Sequence, residues 1–222
     1  MFSAMQLARD GAEHHLAALG LAELATLESV LCEVPGNRPG TRLHASPALS
    51  ALLGRHAAIG LLASRQLGPQ SRPVRALLFN KTVGQNWSLA WHQDRTIAVR
   101  RRIDTPGFAN WTVKSGIHHV EPPFALLERM VTIRIHLDEA GADNAPLLIA
   151  PGSHRLGRIP EHAIAGAVRR LGTRACLAGR GDAWLYATPI LHASEPARTP
   201  ASRRVLHVDF SADPLPNGLE WL

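Results

Sequence analysis

A His-x-Asp pair near the middle of the chain, His92 and Asp94, most strongly constrains how the chain can fold. In a β-strand, residues two apart project to the same side, so one strand end can present both side chains to one point. A third candidate, His192, follows a hundred residues later, with Arg203 beyond it. Two imidazoles and one carboxylate on one face of a metal form the ligand set of non-haem Fe(II) oxygenases. A fold that uses these residues together must bring distant segments of the chain into contact.

The His-x-Asp pair alone is weak evidence for a metal site. With 12 histidines and eight aspartates in 222 residues, such a pair is expected by chance about 0.4 times. A hydrogen-bonded polar pair on a sheet edge explains it equally well. The surrounding sequence has to decide between the two interpretations.

Composition indicates one globular domain, residues 1–222, with a hydrophobic fraction of 45% that is sufficient for a substantial core. The net charge of +6 comes mostly from arginine, since Lys81 and Lys114 are the only lysines. The basic residues are scattered, which disfavours nucleic-acid binding and fits a general affinity for anionic ligands better.

Cysteine usage and the lack of targeting signals predict a cytoplasmic protein. Cys32 and Cys176 are far apart and neither lies in a Cys-x-x-Cys motif, so a disulfide framework is not expected. Residues 1–12 lack the pattern of a secretory signal, and no apolar stretch is long enough to cross a bilayer.

The N-terminal part, residues 1–70, is predicted to form a helical cover. Leucines recur at roughly helical spacing over residues 1–34, and a Pro- and Gly-rich loop follows at 35–40. Ser46-Pro47 is typical of a helix start and predicts a second helix to about Gln66. His14, His15 and His56 are interpreted as surface or packing residues.

From residue 73 the pattern changes to short strands with turn signals between them. Strands are predicted over residues 74–81, 87–94, 130–137, 147–149, 175–177, 183–186 and 203–210, with a short helix at 159–171. This order indicates an α+β chain with a mainly β core, a jelly roll over residues 73–210, followed by a C-terminal tail, 211–222. In such a barrel, strands distant in sequence meet at one mouth.

Residues 95–124 are predicted to be a long irregular loop. Long loops in compact domains are usually functional, and its basic and aromatic residues could line a substrate pocket. A solvated loop explains them equally well. The residues concerned are Arg95, Arg100, Trp111, Lys114, His118 and His119.

Several motifs together resemble the phytanoyl-CoA dioxygenase family of Fe(II)/2-oxoglutarate oxygenases. The resemblance covers roughly residues 75–210 and keeps the motifs in the family's order. The motifs are Trp91-His92-Gln93-Asp94, Asp143-Asn144-Ala145-Pro146-Leu147, Pro151-Gly152-Ser153-His154-Arg155, Gly181-Asp182, His192-Ala193-Ser194 and Arg203. Ala145 and Ala197 depart from the family, which usually has glycine and often has asparagine at these positions.

The resemblance implies a double-stranded β-helix (cupin-like jelly roll), with Fe(II) bound by His92, Asp94 and His192. It implies that Arg203 pairs with the distal carboxylate of 2-oxoglutarate, with Arg204 as the competing candidate on the opposite side of the strand. Four further residues match positions near the cosubstrate or substrate, with a structural role as the alternative for the last two. They are Ser194, Thr132, Lys81 and Asn80.

The function that follows is a 2-oxoglutarate-dependent dioxygenase that uses O₂ to hydroxylate a small molecule, with His92, Asp94 and His192 as catalytic ligands. The carboxylate of Asp94 argues against halogenation, because halogenating relatives have a small residue there. Two alternatives stay open: a metal-dependent enzyme that does not use 2-oxoglutarate, and a non-catalytic cupin-like binding protein. The basic residues of 95–124 favour an acidic or carboxylated substrate; oligomeric state stays open.

Overall fold

The computed structural model describes residues 5–36 and 38–222, so the predictions for residues 1–4 of the helical cover and for Asn37 in the 35–40 loop lie outside the described residues. Within the described part, the α-helices are α1 Leu7–Asp10, α2 Leu21–Leu31, α3 Pro47–Leu53, α4 Ala58–Leu67, α5 Phe124–Glu128 and α6 Glu161–Leu171. None of these helices combines the length and apolar character needed to cross a membrane.

The β-strands carry most of the architecture. They are β1 Ala12–His15, β2 Gly40–Leu43, β3 Arg72–Lys81, β4 Leu89–His92, β5 Ile97–Val99, β6 Ala109–Lys114, β7 Ile117–Glu121, β8 Val131–His136, β9 Leu147–Ile149, β10 Arg174–Cys176, β11 Ala183–Ala187, β12 His192–Ser194 and β13 Arg203–Ser211. A 3₁₀ turn, Ser153–Leu156, follows β9. The mixed α+β class with a mainly β core is as predicted.

Three antiparallel sheets form among the described residues. The large sheet has the order β1-β11-β8-β13-β3-β2, and the small sheet has the order β10-β9-β12-β4. A third sheet, β5-β7-β6, lies beside them. Strands β4 and β12, which carry the predicted histidine ligands, are neighbours in the small sheet.

The two faces of the large sheet differ in polarity because side chains alternate along each strand. Its outer face is apolar and packs against α2, α3 and α4 through buried residues such as Ile133, Leu206 and Val208. Its inner face carries a row of five residues, one from each of β2, β3, β13, β8 and β11, in which each residue lies opposite the next on the neighbouring strand. The row is Arg42, Leu77, His207, Arg134 and Trp184. The sequence therefore places an apolar layer under the helices and a polar layer inside the barrel.

The predicted helical cover is partly wrong, because two strands interrupt it. β1 and β2 form the two edges of the large sheet, pairing with β11 and β3. Both are four-residue edge strands without the alternation by which strands are recognised. The predicted helix from Ser46 is two helices, although Ser46 caps the first as expected by accepting a hydrogen bond from the Leu49 N–H. The division into 1–70, 73–210 and 211–222 stays a prediction.

The predicted irregular loop at 95–124 is also wrong, since it contains β5, β6 and β7, and α5 begins at its last residue. β6 and β7 form a hairpin closed by Ser115 and Gly116, with φ of 52° and 78°. Positive φ at both central residues is the two-residue turn that matches the twist of a hairpin, and it favours glycine. β6 is largely exposed, which removes the apolar alternation that would have identified it.

Two helical glycines should respond in opposite directions to replacement by alanine. A Cβ at Gly60 would overlap the backbone of Gly54, where α4 packs against the end of α3. The contact should outweigh the helix propensity of alanine, so Gly60→Ala should lower the free energy of unfolding by about 1–3 kcal/mol. For a Cβ at Gly166 in α6 the nearest atom would be Nη2 of Arg169 at 3.9 Å. Gly166→Ala should therefore raise the free energy of unfolding by about 0.5–1 kcal/mol. Urea denaturation measures both, and a stabilised Gly60→Ala variant would contradict the packing argument.

Candidate metal centre

Two strand ends bring His92 and His192 together. His92 ends β4 and His192 begins β12, and the two residues are direct partners in the antiparallel pair. Their ring centroids lie 4.2 Å apart. One potential ligand atom from each of His92, Asp94 and His192 lies within 4.8 Å of the other two. Asp94 reaches this point from two residues beyond the end of β4, rather than from within the strand as predicted.

Each imidazole is oriented by a hydrogen bond to the backbone carbonyl oxygen two residues before it. Nδ1 of His92 donates to the carbonyl oxygen of Ala90 at 2.8 Å, and Nδ1 of His192 donates to that of Ile190 at 3.0 Å. A proton fixed on Nδ1 leaves Nε2 as the lone-pair donor that a metal requires. Burial, together with the neighbouring His92, lowers the pKa of His192 to about 3. His192 is therefore neutral at physiological pH.

Asp94 belongs to a buried ionic network that the sequence analysis missed. Nη2 of Arg75 lies 3.4 Å from one carboxylate oxygen of Asp94, and Nε of Arg75 donates to Asp209 at 2.5 Å. Burial opposes ionisation of Asp94, but Arg75 and the neighbouring histidines outweigh it and lower its pKa. Arg75 thus keeps Asp94 ionised.

A second cluster of potential ligands, Asp94, His207 and Asp209, has similar spacing. Its members already have partners within the chain. Asp209 accepts hydrogen bonds from Thr132 at 2.9 Å and from His207 at 3.1 Å, besides that from Arg75. These bonds occupy the oxygens and the His207 nitrogen that would bind an ion, which leaves the cluster of His92, Asp94 and His192 as the better candidate.

The candidate metal ligands open into a cavity of about 200 Å³ that also contains several cationic side chains. It lies between the inner face of the large sheet and the small sheet. The lining includes His92, Asp94, His192, Ser194, Arg203, Arg42, Arg75, Lys114, Arg134, Phe79 and Leu89.

Arg203 is fully buried at one side of this cavity. Its Nη1 donates to the carbonyl oxygen of Ala145 at 2.7 Å, whereas Nε and Nη2 have no hydrogen-bond partner among the described residues. These two nitrogens form one edge of the guanidinium, the fork that binds a carboxylate with two parallel hydrogen bonds. Burial, with Arg134 nearby, lowers the pKa of Arg203 to about 9, so it is charged at neutral pH. Arg204 points the other way and pairs with Asp138 and Glu28.

The other predicted site residues lie at different depths. Ser194 lines the cavity, and Lys81 lies behind it, donating from Nζ to Ser194 Oγ at 3.1 Å and to the Glu195 carbonyl oxygen at 2.7 Å. Burial lowers the pKa of Lys81 to about 8. Thr132 bonds Asp209 behind the metal ligands, and Asn80 donates to the Gly36 carbonyl oxygen at 2.7 Å. Neither lines the cavity, and their roles towards a cosubstrate stay predictions.

Of the residues in 95–124 that were predicted to line a pocket, Lys114 does so. Arg95 donates to the Ile159 carbonyl oxygen and Arg100 pairs with Glu220. Trp111 packs under Arg102, with the guanidinium 5.6 Å from its ring. Arg42 also lines the cavity but was not predicted, because β2 was not recognised, and no role was predicted for Arg134.

Comparison with known families and structures identifies the fold. The family model described as phytanoyl-CoA dioxygenase (PhyH) matches residues 37–205. The chain is similar to EctD from S. alaskensis, crystallised with 2-oxoglutarate and 5-hydroxyectoine, with a TM-score of 0.67 and 19% identity over 92% of this chain and 73% of EctD. It is similar to AviO1 from Streptomyces viridochromogenes Tue57, with a TM-score of 0.64 and 19% identity over 95% of each chain.

A third similar structure is SnoN, a non-heme alpha ketoglutarate dependent epimerase from nogalamycin biosynthesis. Its TM-score is 0.64 with 16% identity, over 92% of this chain and 80% of SnoN. No curated protein sequence matches the chain significantly. The similar structures confirm the predicted double-stranded β-helix.

His136 should make the stability of the protein depend on pH. It lies on β8 and is 1% exposed, and in the part of the chain that the structure describes neither ring nitrogen has a hydrogen-bond partner. Burial, with Arg134 and Arg203 nearby, lowers its pKa to about 3. Because an unfolded histidine titrates near pH 6.5, the unfolded state binds more protons between those values, and stability falls as the pH drops through this window.

Replacement of His136 by phenylalanine should therefore flatten the curve of unfolding free energy against pH below pH 6.5. The difference in slope should reach up to about 1.4 kcal/mol per pH unit. Above pH 7 the wild-type and variant curves should run parallel. Their separation there measures any pH-independent loss of unfolding free energy caused by the substitution. Guanidinium denaturation of the metal-free proteins from pH 4 to 8 measures this, and equal slopes below pH 6 would disprove a buried neutral His136.

Proposed function

The chain belongs to the phytanoyl-CoA dioxygenase family of Fe(II)/2-oxoglutarate oxygenases, and we propose that it hydroxylates a small molecule. The observation that carries the proposal is the meeting of His92, Asp94 and His192 in one cavity with the unpartnered edge of Arg203. Similar folds hold these cofactors: HygX from Streptomyces hygroscopicus has been crystallised with iron and with nickel and 2-oxoglutarate.

The donor set of the candidate metal centre fits Fe(II). His92 and His192 offer the Nε2 atoms of their imidazoles, and Asp94 offers an ionised carboxylate oxygen. Two imidazoles and one carboxylate leave further positions on the metal open. With 2-oxoglutarate, bound iron supplies O₂ activation coupled to oxidative decarboxylation to succinate and CO₂. In that chemistry, one oxygen atom of O₂ would enter succinate and the other would enter the hydroxylated product.

Arg203 orients the cosubstrate in this proposal. Its Nε and Nη2 would donate to the distal carboxylate, while the bond from Nη1 to the Ala145 carbonyl oxygen holds the guanidinium in place. Lys81 supports Ser194 from behind, which fixes the hydroxyl that faces the same space. These residues act by positioning and by keeping water away, because the reactive chemistry belongs to the iron and the cosubstrate.

Hydroxylation is preferred to other outcomes of the same cofactors. Among similar structures, EctD contains a hydroxylated ligand, whereas SnoN is an epimerase. Asp94 occupies the third ligand position, which argues against halogenation. A metal enzyme that does not use 2-oxoglutarate and a non-catalytic binding protein remain the alternatives. Neither requires a buried guanidinium edge, such as that of Arg203, that can bind a carboxylate. The predicted cytoplasmic location, consistent with free Cys32 and Cys176, stays a prediction.

Anaerobic binding of Fe(II) and 2-oxoglutarate tests the proposal directly. The wild-type protein should develop a weak visible charge-transfer band only when both are present, and admission of air with substrate should yield succinate. With ¹⁸O₂, a hydroxylated product should carry the label, whereas an epimerised product should not. A wild-type protein that gives neither band nor succinate would not be an oxygenase.

Arg203 and its sequence neighbour Arg204 form a matched pair for testing the anchor. Arg203→Met should weaken 2-oxoglutarate binding by about tenfold or more, because the charge-assisted hydrogen bonds to the carboxylate are lost. Arg204→Met should bind 2-oxoglutarate as the wild type does, although it loses the pairs with Asp138 and Glu28. Titration of the band with 2-oxoglutarate gives both affinities. Equal affinities in the two variants would exclude Arg203 as the anchor.

A further inference from the structure

The cavity contains far more positive than negative charge. Five cationic side chains line it, against the single carboxylate of Asp94. The cationic residues are Arg42, Arg75, Lys114, Arg134 and Arg203. Fe(II) and doubly charged 2-oxoglutarate would cancel one another, so the excess would persist in the loaded site. An uncompensated cluster of cations in a confined space is unfavourable unless an anion binds there.

Three of the five cations already have a role or a partner. Arg75 is bound to Asp209 and Asp94. Arg203 offers its fork to the cosubstrate, and Arg134 lies next to it, close enough to lower the pKa of Arg203. Arg134 also packs over Phe79, 5.3 Å from the ring. Arg42 and Lys114 are left without a chemical task.

Arg42 reaches the cavity from the edge of the large sheet. It lies on β2 opposite Leu77, in the inner row that continues through His207 to Arg134. Its Nε is buried and has no hydrogen-bond partner, and the side chain forms no ion pair with any described residue. Burial and the charge of Arg75 lower the pKa of Arg42. A half-buried guanidinium whose buried Nε has no hydrogen bond to a described residue is arranged to receive an anion.

Lys114 approaches from the β6–β7 hairpin, in a different sheet. It is exposed at the end of β6, yet it also lines the cavity. Both Lys114 and Arg42 lie near His119, whose pKa falls to about 4 through burial and the neighbouring cations. His119 is 1% exposed and its Nε2 has no partner. The two cations line the same cavity from different sheets, and both are close enough to His119 to lower its pKa.

We propose that Arg42 and Lys114 bind a carboxylate or phosphate group of the substrate, so that the enzyme acts on a small anionic molecule. This inference rests on the proposed oxygenase function and deepens it by naming the substrate class and the residues that select it. Arg42 supplies a directional guanidinium, and Lys114 supplies a mobile charge on a hairpin at the mouth. The anion would be fixed by these two side chains while Arg203 holds the cosubstrate.

Matched charged and uncharged probes test the anion site. Wild-type protein loaded anaerobically with Fe(II) and 2-oxoglutarate is titrated by calorimetry, at low ionic strength, with butyrate, butyl phosphate and butyramide. Bound 2-oxoglutarate occupies Arg203, so an added anion must bind elsewhere. At least one of the two anions should bind about tenfold or more tightly than butyramide. The stronger anion distinguishes a carboxylate from a phosphate substrate.

Variants locate the binding to the two cations. Arg42→Gln and Lys114→Gln should each remove most of the preference for the anion, and Arg42→Lys should restore part of it. Lys114 is exposed, so its replacement does not endanger folding. Arg101→Gln removes an exposed arginine that does not line the cavity, and it should bind the probes as the wild type does.

The same titration on the metal-free Arg203→Met variant separates this inference from the proposed function. This variant lacks the guanidinium of Arg203 that is proposed to bind 2-oxoglutarate. Anion binding at Arg42 can therefore be measured in it whether or not iron and 2-oxoglutarate bind. The Arg203→Met variant should bind the anions more tightly than butyramide, and the Arg203→Met/Arg42→Gln double variant should not. This result would support the anion site even if the charge-transfer band never forms. Equal binding of butyrate, butyl phosphate and butyramide by the wild type, or a loss in Arg101→Gln as large as in Arg42→Gln, overturns it.

Discussion

The pairing of β4 with β12 is the constraint on which the candidate site depends. It sets His92 directly opposite His192, although a hundred residues separate them. Because side chains alternate along a strand, a slip of one residue would turn one imidazole to the other face of the sheet. The position of β12 between β9 and β4 restricts such a slip. The Nδ1 bonds to Ala90 and Ile190 then determine the direction of each ring. Backbone register, rather than a specialised loop, brings the two rings together.

Arg75 extends this order from the small sheet to the large one. It lies on β3 and joins Asp209, on β13, to Asp94, which follows β4. A buried ionic network is costly to desolvate, and such networks are often no more stable than apolar packing of the same volume. Its value here is positional: one guanidinium fixes both the charge and the location of a carboxylate that would otherwise lie at the free end of a four-residue strand. Thr132 and His207 complete the hydrogen bonds of Asp209, which prevents this second carboxylate from competing for an ion.

The sequence predicted the long inner strands and the chemistry of the candidate site, but not its environment. β8 and β13 alternate between apolar and polar residues, and β3 contains an apolar run flanked by polar residues. The alternation depends on one face being buried against helices. β1, β2 and β6 are short or exposed, so burial imposes no such pattern, although Ser115-Gly116 did carry a hairpin signal. The partnership of Arg75 with Asp209 follows from the register of β3 against β13, which neither strand encodes alone. Arg42 was missed for the same reason, because its place at the cavity follows only once β2 pairs with β3.

The distribution of cations also explains how one small cavity can accommodate two anions. A cosubstrate carboxylate and a substrate anion would repel each other in a space of about 200 Å³, and the repulsion is strong where water is excluded. In the inner row of the large sheet, Leu77 and His207 separate Arg42 from Arg134, and Arg75 is paired with Asp209 and Asp94. Each anion would therefore have its own counter-charge. The net charge of +6 is then partly an internal property, because several of the arginines that raise the pI of the chain line the cavity inside the barrel.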